Sequence, residues 1–238
     1  MSRSNIHVFE NPRELARGAA EAFAEEAAKS IREKGAFTVA LAGGSTPKAL
    51  YELLATEYRD ALDWNGVHAF FGDERTVPPD HEDSNYHLAY TTLLSQVPVG
   101  SVDRMRGELD PREAAALYEE ELRAFFGGLP RFDLVLLGMG EDGHTASLFP
   151  GTPALDVTDR WAVENPVEQL NTVRLTLTAP VLNAAQKIIF LVAGEGKAEA
   201  LKEILKGDAD PHEYPAKLVR PEGGAEWIVD QAAARLLS

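Results

Sequence analysis

The residues best suited to chemistry stand close together near the middle of the chain. Asp142 and His144 are two apart in the segment GMGEDGHTASLFP, residues 138–150. A histidine changes protonation near neutral pH, and a neighbouring carboxylate can orient it or polarise it. His144 is therefore a candidate general base that takes a proton from water or from a carbon acid, with Asp142 as its partner.

Neither a covalent nucleophile nor a metal is indicated. The chain has no cysteine, and none of its serines stands in the strand-to-helix setting of a nucleophile elbow. The candidate metal ligands are too few, and His81 and His87 have no obvious ligand partners. We expect a reaction that needs no cofactor.

The segment that carries Asp142 and His144 follows a predicted strand. Residues 132–137, FDLVLL, form a continuous apolar run typical of a strand buried on both faces. Three glycines within the next six residues permit the tight turn that a chain makes beside a ligand. Ligands of open α/β sheets bind at the carboxyl ends of the strands, so this placement predicts a ligand site.

Polar side chains follow other predicted strands in the same way. Strands predicted at 37–42, 67–71 and 188–192 run into GGSTP, GDER and GEGK, and RLTLT at 174–178 alternates like a strand. The candidate binding residues at these ends are Gly43, Gly44, Ser45, Thr46, Asp73, Arg75, Arg174 and Lys197. Three cations and a hydroxyl-bearing helix start, in a chain of formal net charge −15, predict an anionic substrate such as a phosphate ester.

The turn at 43–47 allows two interpretations. Its glycines let the backbone approach a ligand, and free N–H groups at the start of the following helix favour an anion. Alternatively, Thr46 is the N-cap and Pro47 lies in the first turn, with nothing bound. Both can hold together. The turn lacks the lysine and spacing of a P-loop and the third glycine of a dinucleotide fingerprint.

Strands alternate with helices along the chain, which predicts an α/β fold with a mostly parallel sheet and helices on both faces. Helices are predicted at 11–35 and 110–127, each with an N-cap, an early proline and a final glycine. Residues 215–219 and 227–230 are predicted to close the sheet, after a surface excursion at 151–167 with a small strand at 161–163. We expect one domain over residues 1–238.

The composition limits the class of protein. With 238 residues, 45% of them hydrophobic, the chain can bury a sizeable core, and its negative charge argues against binding nucleic acid. No run of about 18 apolar residues is present to span a membrane, and residues 1–5 lack the apolar stretch of a signal peptide. Without cysteines there is no sign of export either, so we expect a cytoplasmic protein.

Several of these motifs together resemble the 6-phosphogluconolactonases, a family related to the glucosamine-6-phosphate deaminases. The resemblance rests on GGSTP, GDER with the later Ser84-Asn85, GMGEDGHTASLFP, RLTLT and GEGK, and it runs in order from about Leu41 to Asp230. It implies a Rossmann-like three-layer α/β/α fold of the deaminase/isomerase type. It also implies a small sugar-phosphate lactone as substrate. The sequence leaves the oligomeric state open between a monomer and a small homo-oligomer.

The resemblance implies roles for the candidate residues. The reaction would be hydrolysis of 6-phospho-D-glucono-1,5-lactone to 6-phosphogluconate, the second step of the oxidative pentose phosphate pathway. His144 would activate water toward the lactone carbonyl, and Asp142 would orient or polarise His144. The 43–46 turn, Arg75, Arg174 and Lys197 would hold the phosphate and sugar hydroxyls. Asp73, which matches a proton-moving aspartate of the deaminases, would have a structural or substrate-contact role.

The sequence argues against two other functions. A deaminase typically continues after Asp-Gly-His with Ile-Ala-Phe-Asn-Glu-Pro, whereas this chain has Phe149 in place of the glutamate and Arg75 in place of a tyrosine. Phenylalanine cannot exchange a proton, so both departures favour the lactonase. A catalytically silent sugar-phosphate sensor would carry a DNA-binding helix-turn-helix, for which the chain has no spare segment and the wrong charge.

Overall fold

The computed structural model describes residues 5–237 and has the alternation of strands and helices that the sequence predicts. Residues 1–4, on which the expectation about a signal peptide rests, lie outside the described range. The strands are β1 (Asn5–Phe9), β2 (Phe37–Leu41), β3 (Val67–Phe71), β4 (Asp73–Arg75), β5 (Ser101–Val102), β6 (Leu134–Leu137), β7 (Ala162–Val167), β8 (Thr172–Leu177), β9 (Ile188–Val192) and β10 (Glu226–Asp230). The helices are α1 (Pro12–Lys34), α2 (Ser45–Thr56), α3 (Asn85–Ala89), α4 (Pro111–Phe126), α5 (Ala179–Asn183), α6 (Ala198–Lys206) and α7 (Gln231–Ala234).

The strands form two sheets. Seven of them make a parallel sheet in the order β1-β10-β9-β6-β2-β3-β5. The other three make an antiparallel sheet in the order β4-β8-β7. The prediction of a mostly parallel sheet is confirmed. The smaller sheet is a separate antiparallel element.

A hydrophobic core lies on each face of the large sheet. Adjacent strand residues point to opposite faces, so Phe70 belongs to one core and Phe71 to the other. Leu122 of α4 and Leu201 of α6 pack in the first core, whereas Leu50 of α2 packs in the second. The result is a three-layer α/β/α arrangement in which the central strands are buried on both faces.

The predicted helix signals act as expected at the two longest helices. The Asn11 side chain accepts hydrogen bonds from the N–H groups of Arg13 and Glu14, and the chain leaves α1 through Gly35 at a φ of 78°. Asp110 caps α4 in the same way, and Gly127 ends it in the left-handed region. No helix within residues 5–237 is long and apolar enough to cross a membrane.

The structure corrects several local predictions. Residues 215–219 do not form a strand: Pro215–Leu218 is a 3-10 turn, because Pro215 has no N–H for a sheet ladder and the N–H of Ala216 donates to the Gly143 carbonyl at 2.9 Å. The small strand at 161–163 is the six-residue β7. Thr46 is not the N-cap of α2, because Gly44 holds that position at a φ of 101°.

Candidate active site

A cleft of about 330 Å³ opens at the carboxyl ends of β2, β3, β6 and β9. Parallel strands end at the same edge of a sheet, so the turns that follow these strands meet there. Every candidate residue predicted from the sequence lines the cleft except Asp142, which lies behind His144. The candidates that line it are Gly43, Gly44, Ser45, Thr46, Asp73, Arg75, His144, Arg174 and Lys197.

Asp142 holds His144 at two points. One oxygen of its carboxylate, Oδ1, lies 2.6 Å from Nδ1 of the imidazole and accepts the backbone N–H of His144 at 3.1 Å. Gly143, at a φ of 76°, provides the left-handed backbone that brings the two side chains together. With Nδ1 engaged by Asp142, Nε2 is the ring nitrogen left to act on a ligand in the cleft.

The ionisation of Asp142 follows from this contact. Burial, the largest single influence, raises the pKa of Asp142, but the hydrogen bonds and charge of His144 together outweigh it. The pKa of Asp142 is therefore held below its ordinary value. The carboxylate stays ionised at neutral pH and is an acceptor for the Nδ1–H of His144.

The imidazole of His144 is enclosed by its own loop. A Cβ added at Gly140 would collide with Nδ1 of His144 and Oδ1 of Asp142, so this position has no room for a side chain. On the other side, the ring of Phe149 stacks on the imidazole with the centroids 4.1 Å apart and the planes at 24°. The 138–149 loop thus supplies both the candidate base and the surfaces that contact it.

The turn after β2 is built to approach a ligand closely. Helix α2 begins at Ser45, and no side chain caps its first N–H groups. These groups, together with the hydroxyls of Ser45 and Thr46, are exposed to the cleft at the positive end of the helix dipole. The arrangement fits the anion-binding interpretation of this turn.

The small sheet carries two of the three cations. Arg75 of β4 and Arg174 of β8 are paired directly across the antiparallel ladder. Burial, followed by the charge of Arg75, lowers the pKa of Arg174. The buried Nε of Arg174 has no hydrogen-bond partner in the part of the chain that the structure describes. Arg75 donates through Nη1 to the carbonyl of Asp83.

Within residues 5–237, neither of these arginines nor Lys197 lies within 4.0 Å of a carboxylate oxygen. Three cations without an ion-pair partner therefore face one cleft in an acidic protein. This is the electrostatic arrangement that an anionic ligand requires.

Asp73 is held on both of its oxygens. Oδ2 accepts the hydroxyl of Ser147 at 2.6 Å, and Oδ1 accepts Nδ2 of Asn85 at 3.1 Å. The amide oxygen of Asn85 is buried without a partner among residues 5–237 and packs so tightly against Gly43 that a Cβ there would collide with it. Asn85 thereby connects Asp73 to the 43–46 turn.

Glu74, the central residue of the Asp-Glu-Arg cluster, points away from the cleft because side chains alternate along a strand. Its buried carboxylate accepts the backbone N–H groups of Arg75, Asn85 and Tyr86 at 2.7–2.8 Å and the hydroxyl of Ser84 at 3.1 Å. Burial raises the pKa of Glu74 more than these hydrogen bonds lower it. Glu74 anchors the start of α3 and thereby the position of Asn85.

Three residues that line the cleft, Asn85, Ser147 and Phe149, are not among the candidate site residues predicted from the sequence, although Phe149 is identified there as the residue in place of the deaminase glutamate. Ser147 and Phe149 belong to the same 138–150 segment as His144, so their proximity in the chain was a usable signal. Asn85 follows a cap-forming serine on a later loop, and nothing local indicates that it reaches Asp73. No group of three or more His, Asp or Glu side chains in the described part of the chain is arranged to hold a metal ion.

Known proteins resemble the chain over nearly its whole length. The family described as glucosamine-6-phosphate isomerases/6-phosphogluconolactonase matches residues 10–228. A 6-phosphogluconolactonase of Synechocystis sp. is 49% identical over 217 residues, which is 88% of each chain. One from Rattus norvegicus is 42% identical over 248 residues and covers 98% of this chain and 93% of its own.

Solved structures give the same result. The 6-phosphogluconolactonase of Trypanosoma brucei superposes with a TM-score of 0.89 at 30% identity and covers 100% of both chains. A monomeric glucosamine-6-phosphate deaminase superposes with a TM-score of 0.78 at 23% identity, covering 98% of this chain and 99% of its own. At that identity the second likeness shows the fold alone.

Proposed function

The chain belongs to the family of glucosamine-6-phosphate isomerases and 6-phosphogluconolactonases and is an enzyme of its lactonase group, and we propose that it hydrolyses 6-phospho-D-glucono-1,5-lactone to 6-phospho-D-gluconate. This reaction is the second step of the oxidative pentose phosphate pathway. We further propose that His144 activates the attacking water and that no covalent intermediate forms.

One observation carries this proposal. A histidine oriented by a carboxylate faces the same cleft as three cations that have no ion-pair partner among residues 5–237. The cations match a phosphate group, and the histidine matches a reaction that needs a proton acceptor near neutral pH. A phosphorylated lactone needs both.

In the proposed reaction, His144 takes one proton from water and later gives it to the ring oxygen that leaves. Nε2 of His144 takes a proton from water while the water oxygen bonds to the lactone carbonyl carbon. Asp142 keeps its hydrogen bond to Nδ1 and stabilises the imidazolium that results. The tetrahedral intermediate then collapses, the bond from the carbonyl carbon to the ring oxygen breaks, and the imidazolium returns its proton to that oxygen.

The substrate is held by the turns around the base. Arg75, Arg174 and Lys197 take the phosphate and neighbouring oxygens, together with the N–H groups and hydroxyls of residues 43–46. Asp73 has a supporting role, since both of its oxygens already accept hydrogen bonds from Ser147 and Asn85. A lactonase requires no proton transfer at C2, which leaves Asp73 free for that role.

The stack of Phe149 on His144 argues against the deaminase reaction. The ring occupies the place beside the imidazole where, by sequence resemblance, the deaminases carry a glutamate. Phenylalanine neither donates nor accepts a proton, so the support that glutamate gives to opening of an amino-sugar ring is absent. The same contact is compatible with lactone hydrolysis, which needs one base.

The proposed function is tested by following loss of freshly prepared 6-phosphogluconolactone beside a blank without enzyme. The blank is essential because this lactone also hydrolyses unaided. We expect loss far above the blank and no ammonia from glucosamine 6-phosphate under the same conditions. Lactone loss at the rate of the blank would overturn the proposed function. Ammonia release at a rate comparable to lactone loss would show that the chain is a deaminase.

A further inference from the structure

Phe149 stacks on His144, and the proposed reaction gives this contact no role. Its ring is 5% exposed, lines the cleft and lies nearly parallel to the imidazole at a centroid distance of 4.1 Å. We propose that Phe149 is a positioning residue, which holds the His144 ring at the angle that presents Nε2 to the lactone. This inference rests on the proposed function and concerns how its base is held.

The local backbone explains why residue 149 reaches residue 144. Ala146 adopts a φ of 47°, a left-handed conformation that reverses the chain. The N–H of Leu148 donates to the Thr145 carbonyl at 2.9 Å, and the Thr145 hydroxyl donates to the Gly138 carbonyl at 2.8 Å. The loop therefore folds back and lays the aromatic ring on the imidazole.

Hydrogen bonds also hold the backbone of Phe149 in place. Its carbonyl accepts the hydroxyl of Thr152 at 2.7 Å and the backbone N–H of Thr152 at 3.3 Å. Thr152 in turn accepts Nδ2 of the buried Asn165 at 2.9 Å. Because this network fixes the backbone from which the Phe149 ring extends, the ring keeps its position beside His144.

The imidazole needs this support, because its other contacts leave one motion open. Asp142 bonds Nδ1, which fixes one edge of the ring, but a hydrogen bond at one edge tolerates small rotations of the ring about the Cβ–Cγ bond. Gly140 borders that same edge. In the described part of the chain, Phe149 supplies the aromatic contact that covers a face of the imidazole, and a group packed on that face limits the rotation. A misplacement of a catalytic group by about 1 Å can cost roughly 100-fold in rate.

The face of the Phe149 ring also favours the imidazolium that His144 forms during the proposed reaction. An aromatic ring attracts a cation placed over its face. The imidazole becomes cationic only after it has taken the proton from water. Phe149 therefore stabilises the state that follows water attack more than the resting state, which is the condition for a contribution to rate.

The test compares Phe149→Leu, which removes the ring, with Phe149→Tyr, which keeps it. We expect Phe149→Leu to lower kcat about 10- to 100-fold while KM changes less than about 3-fold, and Phe149→Tyr to retain kcat within about 3-fold. The matched control is Phe125→Leu. The ring of Phe125 lies beside that of His68, with the ring centroids 5.2 Å apart, and neither residue lines the cleft. This control should keep wild-type kcat and KM.

A spectroscopic signature tests whether the ring lies over the imidazole in solution. In the wild type, the imidazole proton signals of His144, identified by their loss in His144→Gln, should be displaced upfield by the ring current of Phe149. The displacement should persist in Phe149→Tyr and vanish in Phe149→Leu, and thermal unfolding should show both variants folded at the temperature of the kinetic assay, so that the loss of kcat in Phe149→Leu is not a loss of the fold.

The outcomes distinguish this inference from the function on which it rests. Wild-type kcat in Phe149→Leu, or a loss in Phe149→Tyr equal to that in Phe149→Leu, overturns the positioning role alone. Lactone hydrolysis by the wild type at the rate of the blank overturns the proposed function and this inference with it.

Discussion

Arg75 and Arg174 stand directly opposite each other in the antiparallel pairing of β4 with β8, and neither has a carboxylate within 4.0 Å in the described chain. Like charges placed opposite on neighbouring strands repel each other and oppose folding. An anion between them would turn this repulsion into attraction. The pair is thus a feature that a bound phosphate explains.

The first prediction concerns this pair. Arg174→Met should lower kcat/KM for the lactone about 10- to 150-fold, because a charge-assisted contact to phosphate contributes roughly 1.5–3 kcal/mol. The same variant should raise the thermal midpoint without ligand, since burial and the charge of Arg75 lower the pKa of Arg174 and so disfavour its charged form in the folded state. Steady-state kinetics and thermal unfolding check the two effects.

The control for this prediction is Arg17→Met. Arg17 pairs with Glu57 at 2.9 Å on the surface of α1 and α2, away from the cleft. Its loss should leave kcat/KM unchanged and should not raise the thermal midpoint. If Arg174→Met has wild-type kinetics, Arg174 does not contact the substrate.

The second prediction tests the base itself. His144→Gln should lower kcat by at least about 100-fold with little change in KM, because the proposed substrate contacts lie on other loops. A base must be neutral, so in the wild type the log of kcat/KM should fall with unit slope toward acid pH, and the variant should lose this limb. The rates need correction for spontaneous hydrolysis at each pH.

The chain supplies a close control for His144. Asp210 and His212 form the same local contact, with Oδ1 accepting the backbone N–H at 2.8 Å and lying 3.1 Å from Nδ1, but they do not line the cleft. His212→Gln should keep the wild-type kcat and the acid limb. Retention of most activity in His144→Gln would show that another group, or bulk hydroxide, is the base.

The third prediction concerns Asp142. Asp142→Asn should lower kcat about 10- to 100-fold, because an amide no longer holds the Nδ1–H tautomer of His144 and no longer stabilises the imidazolium. KM should change little, since Asp142 does not line the cleft. Equal kcat in the variant and the wild type would remove Asp142 from the mechanism.

The stability of this variant should depend on pH in a defined direction. The folded protein holds the pKa of Asp142 below its ordinary 3.8, so the ionised carboxylate stabilises the fold above that value. The contribution is lost as the pH falls from 3.8 through the folded pKa. The difference in Tm between wild type and Asp142→Asn should therefore shrink below about pH 3.8. A difference that grows in acid would contradict the assigned direction.

The fourth prediction compares two glycines at strand ends. A Cβ at Gly43 would collide with the buried amide of Asn85, whereas a Cβ at Gly72 would meet nothing nearer than the Leu41 carbonyl at 3.7 Å. Gly43→Ala should cost about 1–3 kcal/mol of stability and lower kcat/KM by at least about 10-fold, since overpacking displaces Asn85 or the 43–46 turn. Gly72→Ala should unfold at nearly the wild-type temperature. Equal unfolding temperatures for both variants would show that Asn85 yields without cost.

Much of the site could be predicted from short stretches of sequence. The apolar runs of β2, β3, β6 and β9 each end at a glycine-containing turn, and parallel strands necessarily deliver such turns to one edge. The contact between Asp142 and His144 spans three residues and depends on the left-handed backbone of Gly143. Local φ/ψ preferences and hydrophobic periodicity encode these features, because the groups that determine them are neighbours in the chain.

The tertiary structure alone decided which distant residues meet. Arg174 enters the cleft because β8 pairs antiparallel with β4, about a hundred residues earlier, and nothing within RLTLT specifies that partner. Asn85 reaches Asp73 because Glu74 anchors the start of α3. Residues 215–219 look like a strand, yet their hydrogen bonds go to the 138–150 loop and within a turn. Such pairings depend on burial and hydrogen bonding over the whole chain, which a local pattern does not contain.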